Sequence, residues 1–529
     1  MNDQSPRTGS TTDQTAIGPR HGLVVEPSLD QFRTLAADPE RGVISVRARL
    51  IADDVTPVGV YHQLCADRDL TFLLESADAG IWSRWSFIGV RCETALTTAD
   101  GAARWIGTPV QGAGREKDPL AALKSALVTL QSPREPGMPP LTSGFIGYLG
   151  YDVVRRLERI GDDTVDDLKL PELYFMLVGD MAVVDHRTGE LWLISNHYLP
   201  SGPDRQDPAR TEAAWQLAVE RIEQMADQIL APHASLSQVD HGMADVTITR
   251  QRTGQEFAAM ADRAIEKIKD GEIFQVVPSQ RFDIPTRADA LDIYRQLRRC
   301  NPSPYLYLLK LPGFSVIGSS PEALVTMTDG VATTHPIAGT RPRGATDAED
   351  QRLERELLSD EKERSEHTML VDLGRNDIGR VCRPGTVNVT QFMHVGRYSR
   401  VMHLEASVTG VPREGVDALD VTLSCFPAGT LSGAPKIRAM QIIEELEETR
   451  RGVYGGVVGY FDLNGNSDCA IAIRTAVLID GITRIQAGAG IVLDSIGANE
   501  NRECENKASA VIDAVRSAEV LAAHRRDRR

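Results

Sequence analysis

Three features of this 529-residue chain predict a mixed α/β fold. Short runs rich in aromatic and β-branched residues, bounded by Gly, Pro, Asn or Asp, recur in both halves and read as strands. They alternate with segments of helical period, of which Thr211–Leu230 is the strongest. Hydrophobic residues at 42% and charged residues at 25% make a composition able to close a soluble core. Periodicity by itself goes no further than this class.

Along the chain, residues 1–25 are polar and read as a disordered tail. Residues 26–245 form a first region. Its strands are expected at TFLLESA (Thr71–Ala77), RWSFIGV (Arg84–Val90), MAVVDH (Met181–His186) and ELWLISN (Glu190–Asn196). SGFIGYLGYD (Ser143–Asp152) sets three glycines among aromatics, a sign of close backbone packing. After the Thr211–Leu230 helix, the polar stretch Ala231–Asp245 reads as the boundary. Residues 246–523 form the second region. EFAAMADRAIEKIKDGEIFQVVPSQRF reads as a helix, a stop at Gly271 and a strand. GGVVGYFD (Gly455–Asp462), CAIAIRTAVLID (Cys469–Asp480) and TRIQAGAGIVLDS (Thr483–Ser495) read as successive strands, and a helix from Ala498 to Ala523 follows.

The totals narrow the function. A net charge of −16 argues against a nucleic-acid footprint and against an anionic membrane surface. No apolar run approaches the roughly 18 residues of a membrane span, and the N-terminus lacks the apolar stretch of a secretory signal. The seven cysteines are scattered and form no CxxC pair. That usage suits reduced thiols in a cytoplasmic protein rather than a disulfide framework or a zinc site.

Several stretches carry chemistry. EKERSEH (Glu361–His367) sets Glu363 and Glu366 three apart, on one face if helical. NENRECENK (Asn499–Lys507) repeats the spacing with Glu500 and Glu503, and Lys507 lies one turn on. Two such helices face to face would offer hard oxygen ligands suited to Mg²⁺; a solvated charged face has the same spacing. In QAGAGIV (Gln486–Val492), Gly488 and Gly490 flank Ala489, so backbone N–H groups would be open to an anion. A glycine bulge in a packed strand reads the same way. Gln275, Glu322, His403, Thr430, Tyr454 and Arg474 are single polar residues in apolar surroundings. Arg474 is the most telling, because a buried guanidinium needs a carboxylate from protein or ligand.

In this order, GEIFQVVPSQR, GSSPE, PIAGTRPRG, DEKERSEHTMLVDLGRND, VMHL, CFPAGTLSGAPKIRAM, AIAIRTAV, AGAGIVLDS and ENKASA resemble the chorismate-utilising enzymes, in particular the large subunits of anthranilate synthases. The resemblance implies an α/β (α+β) fold: a large two-layer sandwich of mostly antiparallel β-sheets flanked by helices. It implies Mg²⁺ held by Glu366 and Glu503, with Glu363 and Glu500 in support. Tyr454, Arg474, Lys507 and the backbone of Gly488, Ala489 and Gly490 match positions that hold substrate carboxylates. Glu322 matches a general acid for the departing 4-hydroxyl, a role that needs a raised pKa. His403 and Thr430 match positions beside the ring, His403 being the candidate for assisting pyruvate loss.

Two positions select among reactions within the resemblance. Gln275 stands where water-adding relatives carry a lysine base; glutamine cannot deprotonate water, which implies ammonia as nucleophile. Ala338, in HPIAGTRPRG (His335–Gly344), stands where relatives making 4-amino-4-deoxychorismate carry an attacking lysine. Alanine offers no nucleophile, so the implied products are anthranilate and pyruvate, in the first committed step of tryptophan biosynthesis. Thr340 and the glycines of this turn would shape the wall of the pocket, and Arg341 and Arg343 read as structural.

None of the cysteines sits in a glutaminase motif. The resemblance therefore implies a glutamine amidotransferase subunit as the source of ammonia, in a heterotetramer of two large and two small subunits. LLES (Leu73–Ser76) and NPSPYLY (Asn301–Tyr307) match tryptophan-feedback motifs. They nominate Glu75, Ser76, Pro302, Ser303 and Tyr305 for L-tryptophan, with Pro57 as a further candidate. The rival readings are an aminodeoxychorismate synthase, against which Ala338 argues, and a non-catalytic tryptophan-binding regulator. The intact set of carboxylates with His403 argues against the second.

Overall fold

In the strand Tyr305–Leu311, Leu306 and Leu308 turn to helices on one side, while Tyr307 and Leu309 turn to a second sheet on the other. That two-residue period is what a strand buried on both faces requires. The computed structural model describes residues 20–527 except 66–67, 78–80, 114, 234–235, 237–238, 240–241 and 398–400. Residues 1–19 of the expected tail, and parts of the expected boundary stretch, lie outside the described residues.

Two eleven-stranded sheets of antiparallel ladders form the two layers. Phe72, Trp192, Tyr307 and Phe314 of the first sheet meet Ile146, Tyr148, Tyr174 and Met176 of the second in a shared core. Phe314 packs edge-on against Tyr148 and Tyr174, with centroids 6.2 and 6.3 Å apart. Phe314→Ala is expected to cost about 3–5 kcal/mol, read as a lower denaturation midpoint, with unchanged activity per folded molecule. Helices Gly254–Lys269, Ala290–Cys300 and Gly497–Asp527 cover the outer face of the first sheet, and Glu361–Gly379 and Ala418–Cys425 that of the second.

The two sequence regions do not separate in space. Thr71–Glu75 pairs with Tyr305–Leu311 in the first sheet, and Gly144–Leu149 with Val457–Asp462 in the second. Among the described residues the seven cysteines are free, and no helix is long and apolar enough to cross a membrane.

Three elements differ from the sequence reading. CAIAIRTAVLID is two strands: Ser467–Ile471 belongs to the second sheet and Thr475–Ile479 to the first. The chain crosses between them, and Arg474 takes a left-handed conformation there (φ 51°). Continuous hydrophobicity hides the break, because both pieces are buried. The strand read over Thr483–Ser495 is Ile482–Gly488 only. HPIAGTRPRG is not a free turn but contains an edge strand, Ile337–Pro342, paired with Val401–Gly410 and bulged between Ala338 and Thr340. Its turn-like composition serves the bulge, where Gly339 has φ +64°.

Candidate active site

The candidate residues gather where the chain passes from one sheet to the other. Phe314–Ser320 lies in the first sheet and Ala323–Thr328 in the second, with Glu322 in the crossing. Arg474 occupies the return crossing. The two crossings are bonded together: Ile471 N–H donates to the Glu322 carbonyl (2.9 Å), and Ser319 N–H to the Arg474 carbonyl (3.2 Å). Backbone bonds thus hold the two crossings together.

Glu322 accepts a hydrogen bond from Thr430 Oγ1 at 3.2 Å. Burial pushes its carboxyl up to about 7, against smaller downward pulls from Thr430 and Lys507. Burial lowers the Arg474 pKa, and Tyr454 and Glu503 only partly offset this. Among the described residues no carboxylate ion-pairs with Arg474. A left-handed arginine costs roughly 1–2 kcal/mol, and a strained, unpaired, half-buried cation suits an anionic ligand.

Gln275, Tyr454 and the glycine segment converge. A Cβ on Gly488 would fall 2.7 Å from the Pro278 carbonyl and 2.8 Å from the Tyr454 hydroxyl; one on Gly490 would fall 2.7 Å from Gln275 Nε2. Close approach, not backbone freedom, requires glycine here. Ala489 N–H donates to the Pro278 carbonyl at 3.2 Å. Lys507 Nζ donates to the Gly488 carbonyl at 3.1 Å and ion-pairs with Glu503 at 2.6 Å. Gly490→Ala is expected to displace the Gln275 amide and lower kcat/KM by about tenfold or more, measured as anthranilate formation.

Helices Glu361–Gly379 and Gly497–Asp527 carry the two carboxylate pairs, and the Glu503 charge reaches Glu366. Burial raises the Glu366 pKa, and the charges of Glu363 and Glu503 raise it further. Burial likewise raises Glu500, with Glu503 adding to it. Asp360 caps the first helix by accepting from Lys362 and Glu363 N–H. Arg341 bonds Asp360 at 2.8 Å and Glu363 at 3.4 Å, so it steadies one member of the cluster. Arg343 pairs with Asp350 at 2.9 Å, away from it. Among the described residues, no three acidic, His or Cys side chains converge tightly enough to hold a metal unaided. Like charges that raise one another's pKa are a setting that a hard dication relieves.

His403 pairs across the ladder with Thr340. Its Nδ1 lies 3.0 Å from the Gly339 carbonyl and 3.0 Å from Thr340 Oγ1. A carbonyl only accepts, so Nδ1 donates in the contact with Gly339. Ala338 is buried opposite Leu404.

The two expected feedback motifs are also neighbours. Glu75 stands opposite Leu306, and Ala77 N–H donates to the Ser303 carbonyl at 3.0 Å, placing Ser76 beside that turn. Glu75 is already engaged: it accepts from the Tyr294 hydroxyl at 2.5 Å and pairs with Arg298 at 3.1 Å. Burial pushes the Asp468 carboxyl up to about 6, against a smaller downward pull from the nearby Tyr305 hydroxyl. Pro302 is exposed, and Pro57 begins the helix Pro57–Cys65.

Sequence reasoning missed Arg451. This buried guanidinium binds Glu447 (2.6 and 2.9 Å) and the carbonyls of Leu431 and Val277 (2.7 Å each). It stacks over Tyr151 and Tyr454 at 4.6 and 5.6 Å. It therefore ties the loop after Thr430, the segment after Gln275 and the Tyr454 ring to one point. Its only signal was an i,i+4 Glu–Arg spacing, which surface helices share.

Known proteins share this chain's sequence and fold. The family described as chorismate binding enzyme matches residues 70–513. Anthranilate synthase component 1 of Mycolicibacterium smegmatis is 52% identical over 525 residues, covering 96% of this chain and 98% of that protein. The crystal structure of anthranilate synthase component I from Streptococcus pneumoniae has a TM-score of 0.71 at 34% identity, covering 87% of this chain and 98% of that one. The menaquinone-specific isochorismate synthase of Escherichia coli shares the fold, with a TM-score of 0.65 at 18% identity over 92% of this chain and 98% of that one. From residue 70 to residue 513, with its acid and its unpaired arginine fixed in the two sheet crossings, this chain belongs to the chorismate-binding enzymes.

Proposed function

We propose that the chain converts chorismate and ammonia into anthranilate and pyruvate, as the synthase subunit of an Mg²⁺-dependent lyase. One observation carries the reading: backbone bonds tie the crossing that carries Glu322, whose carboxyl burial pushes up to about 7, to the crossing that carries Arg474, a half-buried arginine with no ion-pair partner among the described residues. The naming of the relatives as component 1 supports a second subunit. We assign that subunit as a glutamine amidotransferase, because no glutaminase motif lies in this sequence. Two copies of each subunit would make the assembly, in the cytoplasm.

Arg474, Tyr454 and Lys507 orient the substrate carboxylates. Glu322 gives its proton to the leaving 4-hydroxyl, steadied by Thr430, while ammonia adds at C2. Gln275 lines the nucleophile's side without acting as a base. His403 Nε2 then takes the proton released as pyruvate leaves and the ring aromatises. Glu366 and Glu503 would hold Mg²⁺ with Glu363 and Glu500 in support; when bound, the ion supplies positive charge to a substrate carboxylate.

Tryptophan feedback has a physical route. Tyr305 pairs with Ser320, two residues before Glu322. Asp468, near the Tyr305 hydroxyl, lies on the strand whose end donates to the Glu322 carbonyl. A ligand that moved Tyr305 would therefore act on the acid from both sides.

Chorismate, Mg²⁺ and an ammonium salt added to the purified chain should yield anthranilate fluorescence that needs Mg²⁺ and falls with tryptophan. Chorismate consumed without fluorescence would favour aminodeoxychorismate and overturn the inference from Ala338.

A further inference from the structure

A cavity of about 60 Å³ lies behind the acid. Of the residues placed in the site, only Glu322 and Thr430 line it; Gln275, Tyr454, Arg474, Lys507 and the carboxylates of the paired helices do not. Its other walls include Thr334, His335, Gly374 and Asp377. Substrate bound on Arg474 and Lys507 would therefore leave this compartment open.

Its polar groups are set for water. Thr334 is buried and its Oγ1 has no partner. Gly374 lies in the middle of a helix, where alanine would be favoured by roughly 1 kcal/mol. A Cβ there would fall 3.0 Å from that hydroxyl, so glycine keeps the space in front of it open. Asp377 is engaged by Lys436 at 2.8 Å. His335 is half-buried, and its Nδ1 lies 3.2 Å from Ser407 Oγ. The remaining walls, among them Leu324, Leu370 and Leu373, are apolar, so these polar groups mark the part of the cavity with room and partners for water.

We propose that this compartment returns the proton to Glu322, through water held by Thr334, from His335. The inference rests on Glu322 being the acid. In each turnover the C2–N bond forms and the C4–O bond breaks; Glu322 gives up its proton, so that the leaving group departs as water, and the ammonium formed at C2 releases one proton to solvent. The resulting carboxylate takes a proton from the water beside Thr334, which takes one from His335, which takes one from bulk solvent. Burial lowers the His335 pKa, so the ring is neutral near pH 7 and passes a proton rather than holding it. His335 and Thr334 are thus positioning residues, not groups that touch substrate.

The test uses the full chain with chorismate, Mg²⁺ and ammonium salt. His335→Ala is expected to lower kcat about tenfold, leave KM for chorismate unchanged, enlarge the solvent deuterium isotope effect and regain activity with added imidazole. Thr334→Val, nearly isosteric, should lower kcat and enlarge the isotope effect in the same direction. Parental kcat and isotope effect in both variants would overturn the relay. So would a loss in His335→Ala that imidazole leaves unrestored with the isotope effect unmoved, which marks packing damage. Full activity in Glu322→Gln would instead remove the acid itself, and the relay with it.

Discussion

Glu322→Gln is expected to lower kcat by about 10²–10⁴-fold while chorismate still binds, because the amide keeps the shape and the contact with Thr430 but carries no transferable proton. The parent's kcat, measured at a fixed concentration of free ammonia, should fall as pH rises through about 7, where Glu322 loses its proton. The same shift acts on stability with a definite sign. The folded carboxyl titrates at about 7 and the unfolded one near its ordinary 4.5. The folded state therefore binds the extra proton, and stability declines as pH rises between those values, then levels off. Glutamine has no such decline. At pH 8 the variant should be more stable than the parent by on the order of 3 kcal/mol, measured by denaturant titration. An active variant, or one without the stability gain, would separate the catalytic role from the electrostatic one.

Glu447→Ala is expected to be the most damaging single change to the framework. It leaves the Arg451 charge buried without a partner and strips the acceptor from Ser279 N–H and Oγ, each held at 2.8 Å. Removing one member of a buried pair costs about 3–5 kcal/mol. The paired change Glu447→Gln with Arg451→Met should recover much of that loss, because no uncompensated charge remains. It should not recover activity, because Arg451 also holds the Tyr454 ring and the carbonyls beside Thr430 and Gln275. A doubly substituted protein with full stability and full turnover would show that Arg451 has no part in placing the site.

Legibility in the sequence followed the range of the interaction. The helix beginning at Glu361 was readable because Glu363 and Glu366 lie within one turn, and Thr253 with Glu256 makes a capping box at another helix start. The strands TFLLESA and ELWLISN stand within a few residues of where they were read. CAIAIRTAVLID was misread because a strand buried in one sheet and a strand buried in the other have the same composition. Only the left-handed Arg474 marks the crossing, and a φ angle is not written in residue type.

By itself, the sequence determined the mixed α/β class, the two carboxylate pairs, the likeness of ordered motifs to chorismate-utilising enzymes, and the absence of a nucleophile at Ala338 and of a base at Gln275. Those are properties of residue identity and of short spacing. The tertiary structure alone decided that Glu322 and Arg474 lie in bonded sheet crossings, that burial raises the one and lowers the other, that Arg451 anchors Tyr454, and that a cavity backs the acid. Each of these depends on residues far apart in the chain sharing one low-dielectric space, and desolvation is a property of that space rather than of any residue within it.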